Sequence, residues 1–332
     1  MLTDDRIKLI ENPKFSKEDI AFQKSQKRMD EAYEHGAFEK GLQIALDAIE
    51  RFPEKPTTTH LWAASFYASL GRTEETLSVL NQGFQRGAWW SADFLIGEFE
   101  DLKDHPTFSR LREAAQEKLE KEKKPAKPEL VVRTPTEYSD NKRFPLLLVL
   151  HGANSNNADT EPHWTRVQHK RQIFMAFLQS SQPVSSDHYV WNNKETALRD
   201  IESAYSTLES LYSIDTSKVI LAGISAGAEI AMIALFSGRV SAKGFIAVIP
   251  STGTFIERFV KPDSLASEMN GVKGCIIAGE KDPRFSNTKI IHEFLTKKGV
   301  AVQLYSYPEL GHSVPEDFDH ALTKSVRFVL RQ

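Results

Sequence analysis

The sequence predicts two architectures in one chain: an all-α helical-repeat domain, then an α/β domain whose mostly parallel sheet is flanked by helices. Three observations predict this. The first third carries only helix-period patterns, with breakers at a recurring spacing. A charged stretch with two prolines, "KLEKEKKPAKPEL" at 118–130, interrupts them. Beyond it, short continuous apolar runs alternate with amphipathic helices, the pattern of a parallel sheet buried on both faces.

In the first third, "MDEAYEHGAFEKGLQIALDAIERFPEKP" reads as two helices broken at His35-Gly36 and stopped at Pro53. "LWAASFYASLGRTEETLSVLNQGFQRG" repeats the plan, with its break at Leu70-Gly71 and its stop at Gly87. The breaks lie 71 − 36 = 35 residues apart and the stops 87 − 53 = 34. That is close to the period of tetratricopeptide repeats, about 34 residues. Ala32, Gly36, Phe38 and Ala48 fit the repeat, as do Tyr67 and Gly71; Thr76 and Gly83 stand where alanine is preferred. A third, degenerate pair is expected from Trp89 to Leu119, with Pro106 opening its last helix. A plain helical bundle fits the same pattern. The expected boundaries are 1–117 for the helical domain, 118–128 for the linker and 129–332 for the α/β domain.

In the α/β part, "ELVVRT" and "PLLLVLHG" read as strands, "WTRVQHKRQI" as a helix and "FMAFLQSS" as a strand. "KETALRDIESAYSTLESLY" reads as a long amphipathic helix, "KVILAG" as a strand and "AGAEIAMIALFSG" as a helix. Then come the strands "GFIAVIP" and "GVKGCIIAG", the helix "NTKIIHEFLTKKG", the strand "VQLYSYP" and a closing helix, "EDFDHALTKSVRFVL".

Composition narrows the function classes. The net charge of −3 gives no basic surface for nucleic acid. No apolar run approaches the ~20 residues of a membrane span, and the charged start "MLTDDRIKLIENPKFSKED" is no signal peptide. The expected location is cytoplasmic. The one cysteine, Cys275, cannot form an intrachain disulfide and reads as a buried small hydrophobe. No H-E-x-x-H, no phosphate loop and no dinucleotide fingerprint occurs, and His163 and His169 lack a carboxylate motif. No metal and no cofactor is expected.

The chemistry centres on Gly223-Ile224-Ser225-Ala226-Gly227. A lone G-x-S-x-G is weak, but this one lies between a strand and an alanine-rich helix, the setting of a nucleophile elbow. A serine hydroxyl needs a base, and the base needs an orienting acid. Both are expected after later strands. "CIIAGEKDPRF" presents Asp282 and "VQLYSYPELGHSVPED" presents His312, 57 and 30 residues further on in turn. Glu280, Asp317 and Asp319 are rival acids. The rival bases His292 and His320 fall inside helices. The oxyanion donors should be the N–H groups of Ala226 and of Ala153 in "PLLLVLHGANSNN". His151, Asn154 and Trp191 are candidates to line the substrate site; Asn156 and Asn157 suit a turn. Residues 251–271 are the longest stretch that could cap the site.

Together "LVLHG", "GISAG", "GEKDP" and "GHSVPED" resemble the α/β-hydrolase superfamily. They resemble its small-esterase branch, with the dienelactone-hydrolase, phospholipase/carboxylesterase-like and predicted-esterase groups. The run from Tyr189 to Ala231, including "IDTSKV", is similar to the approach to the elbow in those esterases. The resemblance covers about residues 129–332. It implies hydrolysis of small-molecule carboxylic esters through an acyl-enzyme, by the triad Ser225, Asp282 and His312. One departure stands out: only one strand precedes "PLLLVL", so the usual N-terminal hairpin is shortened. A serine peptidase of the prolyl-oligopeptidase kind shares the fold and the triad order. An inactive hydrolase-fold scaffold that binds protein partners, or a second copy, through the helical domain is the other alternative. Residues 125–332 are expected to hold all of the chemistry.

Overall fold

The computed structural model describes residues 7–14, 16–123, 126–165, 172–265 and 271–331. The chain forms two compact units, one helical and one built on a sheet.

The helical unit takes in Lys14–Ala126 and, from much later in the chain, Pro183–His188. Its helices are α1 (Lys17–Glu34), α2 (Phe38–Arg51), α3 (Pro56–Ser69), α4 (Thr73–Gln85), α5 (Ala92–Glu98) and α6 (Pro106–Lys123). Ser16 starts α1 with a capping box: its hydroxyl accepts the Asp19 N–H while the Asp19 carboxylate accepts the Ser16 N–H. Gly36 and Gly71 take left-handed φ values of 66° and 72°, which end α1 and α3 and turn the chain back. The apolar stripes of these helices meet in one core that includes Met29, Leu42, Phe66, Leu80, Trp90 and Phe108. α6 extends to Lys123, so the stretch expected as a linker from 118 begins as helix.

Residues 183–188 pair with the stretch before α5. Ser91 N–H donates to Val184 O at 2.7 Å, Ser186 N–H donates to Trp89 O at 3.1 Å, and Trp90 and Ser185 form an antiparallel bridge. Asp187 also hydrogen-bonds the Thr57 hydroxyl, at the first turn of a helix whose own N-cap, Lys55, offers no side-chain cap. Burial works against its charge, but His188 and Thr57 outweigh burial and hold its carboxyl below the ordinary range.

Among the described residues the sheet unit holds eight strands, in the order β1-β2-β4-β3-β5-β6-β7-β8. They are β1 (Lys8–Glu11), β2 (Glu129–Arg133), β3 (Phe144–Leu150), β4 (Phe174–Gln179), β5 (Ile214–Ile224), β6 (Gly244–Val248), β7 (Lys273–Gly279) and β8 (Ala301–Tyr307). Among these described strands, the β2–β4 pairing is antiparallel and the others are parallel. The flanking helices are α7 (Asn157–Trp164), α8 (Lys194–Leu211), α9 (Ala226–Phe236), α10 (Phe285–Lys297) and α11 (Phe318–Leu330). The continuous apolar run of β3 is explained by its two buried faces. Leu146, Leu148 and Leu150 join one core with α8 and α9, and Leu147 and Val149 join another with α11. Each such fully buried side chain contributes about 1.5–3 kcal/mol.

β1 departs from the reading of residues 1–117 as helical throughout. "KLIE" adds a parallel edge strand to β2, with Leu9 packing toward one core and Ile10 toward the other. Two strands therefore precede β3, and the first comes from the far N-terminus. Arg133 fastens this corner: it donates to Pro13 O and pairs with the buried Glu161 carboxylate. The helix expected over 164–173 falls mostly on 166–171, which lie outside the described residues; α7 ends at Trp164. No helix among the described residues is long and apolar enough to cross a membrane.

These facts alter what truncation should do. A chain beginning at Pro125 lacks β1, so β2 becomes an open sheet edge. It also lacks Thr57 and Trp89–Ser91, the partners of 183–188. The expected result is an aggregating protein by size-exclusion chromatography. A monomer with intact circular dichroism would show that β1 and these pairings are dispensable.

Candidate active site

β5 delivers the serine. It ends at Ile224, and α9 begins at Ala226, leaving Ser225 alone in the turn with φ 52° and ψ −116°. A non-glycine residue there costs about 1–3 kcal/mol, and the surrounding hydrogen bonds impose it. Ser225 N–H donates to Val248 O at 2.9 Å, and Ser225 O accepts from Ser251 N–H and Glu229 N–H. The motif's last glycine serves a close approach: a Cβ on Gly227 would lie 2.2 Å from His151 O and 2.5 Å from Leu150 O. Gly227→Val should therefore prevent packing of α9 on β3 and cost more than ~3 kcal/mol. Chemical denaturation checks this; a loss below ~1 kcal/mol would contradict it.

β7 delivers the acid. Asp282 follows it in a turn closed by Asp282 N–H to Gly279 O at 3.2 Å. Its side chain is only 4% exposed, and Oδ1 accepts the Arg284 N–H at 2.9 Å. β8 delivers the histidine. The loop after Tyr307 is laced to the acid's turn by Lys281 N–H to Leu310 O at 3.0 Å, so the two loops hold each other.

These three residues meet. The Ser225 hydroxyl donates to His312 Nε2 at 2.9 Å, and His312 Nδ1–H donates to Asp282 Oδ2 at 2.5 Å. The His312 side chain is 30% exposed, so it reaches solvent while its partner acid is buried. The rivals are occupied elsewhere. His292 contacts Val302 O from α10, and His320 lies exposed on α11. Glu280 accepts from the Ser306 hydroxyl, and Asp317 partners Tyr307. Cys275 is fully buried in β7, and burial pushes its thiol up to about 12, so it offers no thiolate nucleophile.

The loop after β3 borders the serine. A Cβ on Gly152 would lie 3.9 Å from Ser225 Cβ. Ala153 follows in a turn, and Asn154 takes a left-handed φ of 55°. Ala226 N–H is the first of α9, where the helix has no acceptor of its own. Of the residues expected to line the site, His151 and Trp191 are buried, at 0% and 1% exposure. Neither offers a face to a ligand; Trp191 Nε1–H instead donates to His151 O at 2.9 Å. Asn156 caps α7, and the buried Asn157 side chain donates to Glu129 O. Both are structural. Gly253–Phe255 form a short helical turn that continues as a wider helical turn over Ile256–Val260, and 266–270 lie outside the described residues. Glu229, which no sequence motif singles out, also serves this region. Its carboxylate, 3% exposed, accepts Phe255 N–H at 3.0 Å and fixes that segment. The signal was a single acid inside the apolar helix "AGAEIAMIALF". Among the described residues no group of three His, Cys, Asp or Glu is disposed to hold a metal ion.

Comparison with solved structures agrees with this fold. A crystal structure of an uncharacterized protein from Bacillus cereus ATCC 10987 is similar over 92% of this chain and 98% of its own, at 24% identity and TM-score 0.53. A bacterial heroin esterase is similar over 62% of this chain and 80% of its own, at 16% identity and TM-score 0.50. Comparison with curated protein sequences found no match. Residues 179–324, which contain the serine, the acid and the histidine, match the dienelactone hydrolase family. Over that stretch the chain is similar to the dienelactone hydrolase family, and its fold is that of the α/β-hydrolases.

Proposed function

We propose that this protein hydrolyses small carboxylic esters with Ser225 as nucleophile, His312 as general base and acid, and Asp282 as the residue that orients His312. The hydrogen-bonded series from Ser225 through His312 to Asp282 carries this reading. Ser225 Oγ attacks the ester carbonyl carbon while its proton passes to His312 Nε2. The carbonyl π electrons move onto oxygen, and the N–H groups of Ala226 and Ala153 stabilise that oxyanion. As the intermediate collapses, the bond to the alcohol oxygen breaks and the alcohol leaves with the proton from His312. Water then repeats the sequence on the acyl-enzyme, releasing the acid and restoring the Ser225 hydroxyl. Asp282 keeps the proton on Nδ1, so that Nε2 faces the serine as acceptor. It also stabilises the imidazolium formed at each step.

A fluorophosphonate probe tests the reading. The purified protein should take up one equivalent, located by mass spectrometry on the peptide containing Ser225. A p-nitrophenyl ester should be turned over and should slow the labelling. An unlabelled Ser225 in folded protein would end the reading.

A further inference from the structure

We infer that His151 and Trp191 are positioning residues, which together aim the Gly152–Ala153 peptide so that its N–H faces the oxyanion. This rests on the proposed hydrolytic reading of the site. Two consecutive carbonyls in this loop are each gripped by a buried donor. The Trp191 indole N–H holds His151 O at 2.9 Å. The indole is packed on the His151 ring, with centroids 4.8 Å apart, so neither group is free to turn.

The His151 ring settles its own tautomer. Ser180 N–H, which can only donate, points at Nε2 from 3.2 Å, so Nε2 is the unprotonated nitrogen. The ring proton is therefore on Nδ1, which donates to Gly152 O at 2.6 Å. The peptide after Gly152 is trans. In a trans peptide C=O and N–H point in opposite directions. Fixing Gly152 O against the buried imidazole thus fixes Ala153 N–H away from it, on the side of the loop not taken by His151. The next turn is secured as well: Tyr189 N–H donates to Ser155 O at 2.9 Å, and Ser155 N–H to Tyr189 O at 3.4 Å. One segment, Ser180 to Trp191, therefore supplies a hydrogen-bonding group to His151 O, to His151 Nε2 and to Ser155. The donor is set before substrate arrives, which is what makes an oxyanion hole effective.

The experiment uses the full chain and a p-nitrophenyl ester. Trp191→Phe keeps an aromatic ring, though a smaller one, and removes the N–H. It should lower kcat about 10–100-fold, less than the 10²–10³ lost with an outright donor, and leave KM within about twofold. A trifluoromethyl ketone, whose adduct carries the oxyanion, should bind more weakly by the same factor. A second pair reads the same device if that variant does not fold. His151→Asn keeps an amide N–H near the place of Nδ1, whereas His151→Gln carries its amide out to the place of Nε2, beyond the position from which Nδ1–H reaches Gly152 O. The Asn variant should retain at least tenfold more kcat than the Gln variant. Unchanged kcat and ketone affinity in Trp191→Phe, or equal kcat in the Asn and Gln variants, would overturn the inference while wild-type turnover left the hydrolytic reading standing. No turnover and no Ser225 labelling in the wild type would remove both.

Discussion

Ser225→Ala should abolish ester turnover, with a fall in kcat of about 10⁶, and leave the fold unchanged. The size follows from the role: with no Oγ there is no acyl-enzyme, and His312 has nothing to deprotonate except water. The residue contributes almost nothing to packing. Its hydroxyl hydrogen-bonds only His312 among its described partners, and the turn is held by backbone groups that alanine keeps. Thermal unfolding should shift by less than about 2 °C. The strained φ of 52° adds a sharper measurement. Glycine occupies that region freely, so Ser225→Gly should be at least as stable as Ser225→Ala, although glycine costs up to about 1 kcal/mol elsewhere. Equal inactivity with that stability order would show strain carried for function. Full turnover in Ser225→Ala would remove the serine from the mechanism.

The site was more legible in the sequence than the fold's edges, for a physical reason. A parallel sheet presents its chemistry at the C-terminal ends of strands. Ser225 and Asp282 each follow a continuous apolar run, and His312 follows the mixed strand "AVQLYSY". Glycines mark the elbow because Gly223 lets β5 lie against the first turn of α9 and Gly227 lets α9 sit against the end of β3. β1 was not legible. Its four residues, "KLIE", carry two apolar side chains, and their partner strand lies about 120 residues away. Nothing local separates such a strand from a charged N-terminal tail. The excursion of 183–188 into the helical unit was hidden likewise, since backbone pairing with Trp89–Ser91 leaves no side-chain periodicity. From sequence, Trp191 reads as a candidate ligand-lining residue. A tryptophan before a helix reads the same whether its N–H meets substrate or, as here, a backbone carbonyl.

His312→Ala should lower kcat by about 10⁴–10⁶, and Asp282→Asn by about 10⁴, while His320→Ala stays within twofold of wild type. The three outcomes separate the base from its neighbours. Removing His312 leaves the Ser225 hydroxyl without an acceptor, so the rise of kcat/KM with pH that a histidine base produces should vanish together with the rate. Added imidazole should restore part of the activity, because the vacated space reaches solvent. Asp282→Asn acts differently. It keeps the size of the buried group but can present an amide N–H to Nδ1 in place of an acceptor. The His312 proton then moves to Nε2, where it blocks acceptance from Ser225. The variant should fold, since Arg284 N–H can still find the amide oxygen in the place of Oδ1. His320 lies exposed on α11, outside this series of hydrogen bonds, so its loss leaves the series intact. If His320→Ala lost the activity and His312→Ala kept it, the base would be misassigned and the contact between His312 and Ser225 would have no part in the rate.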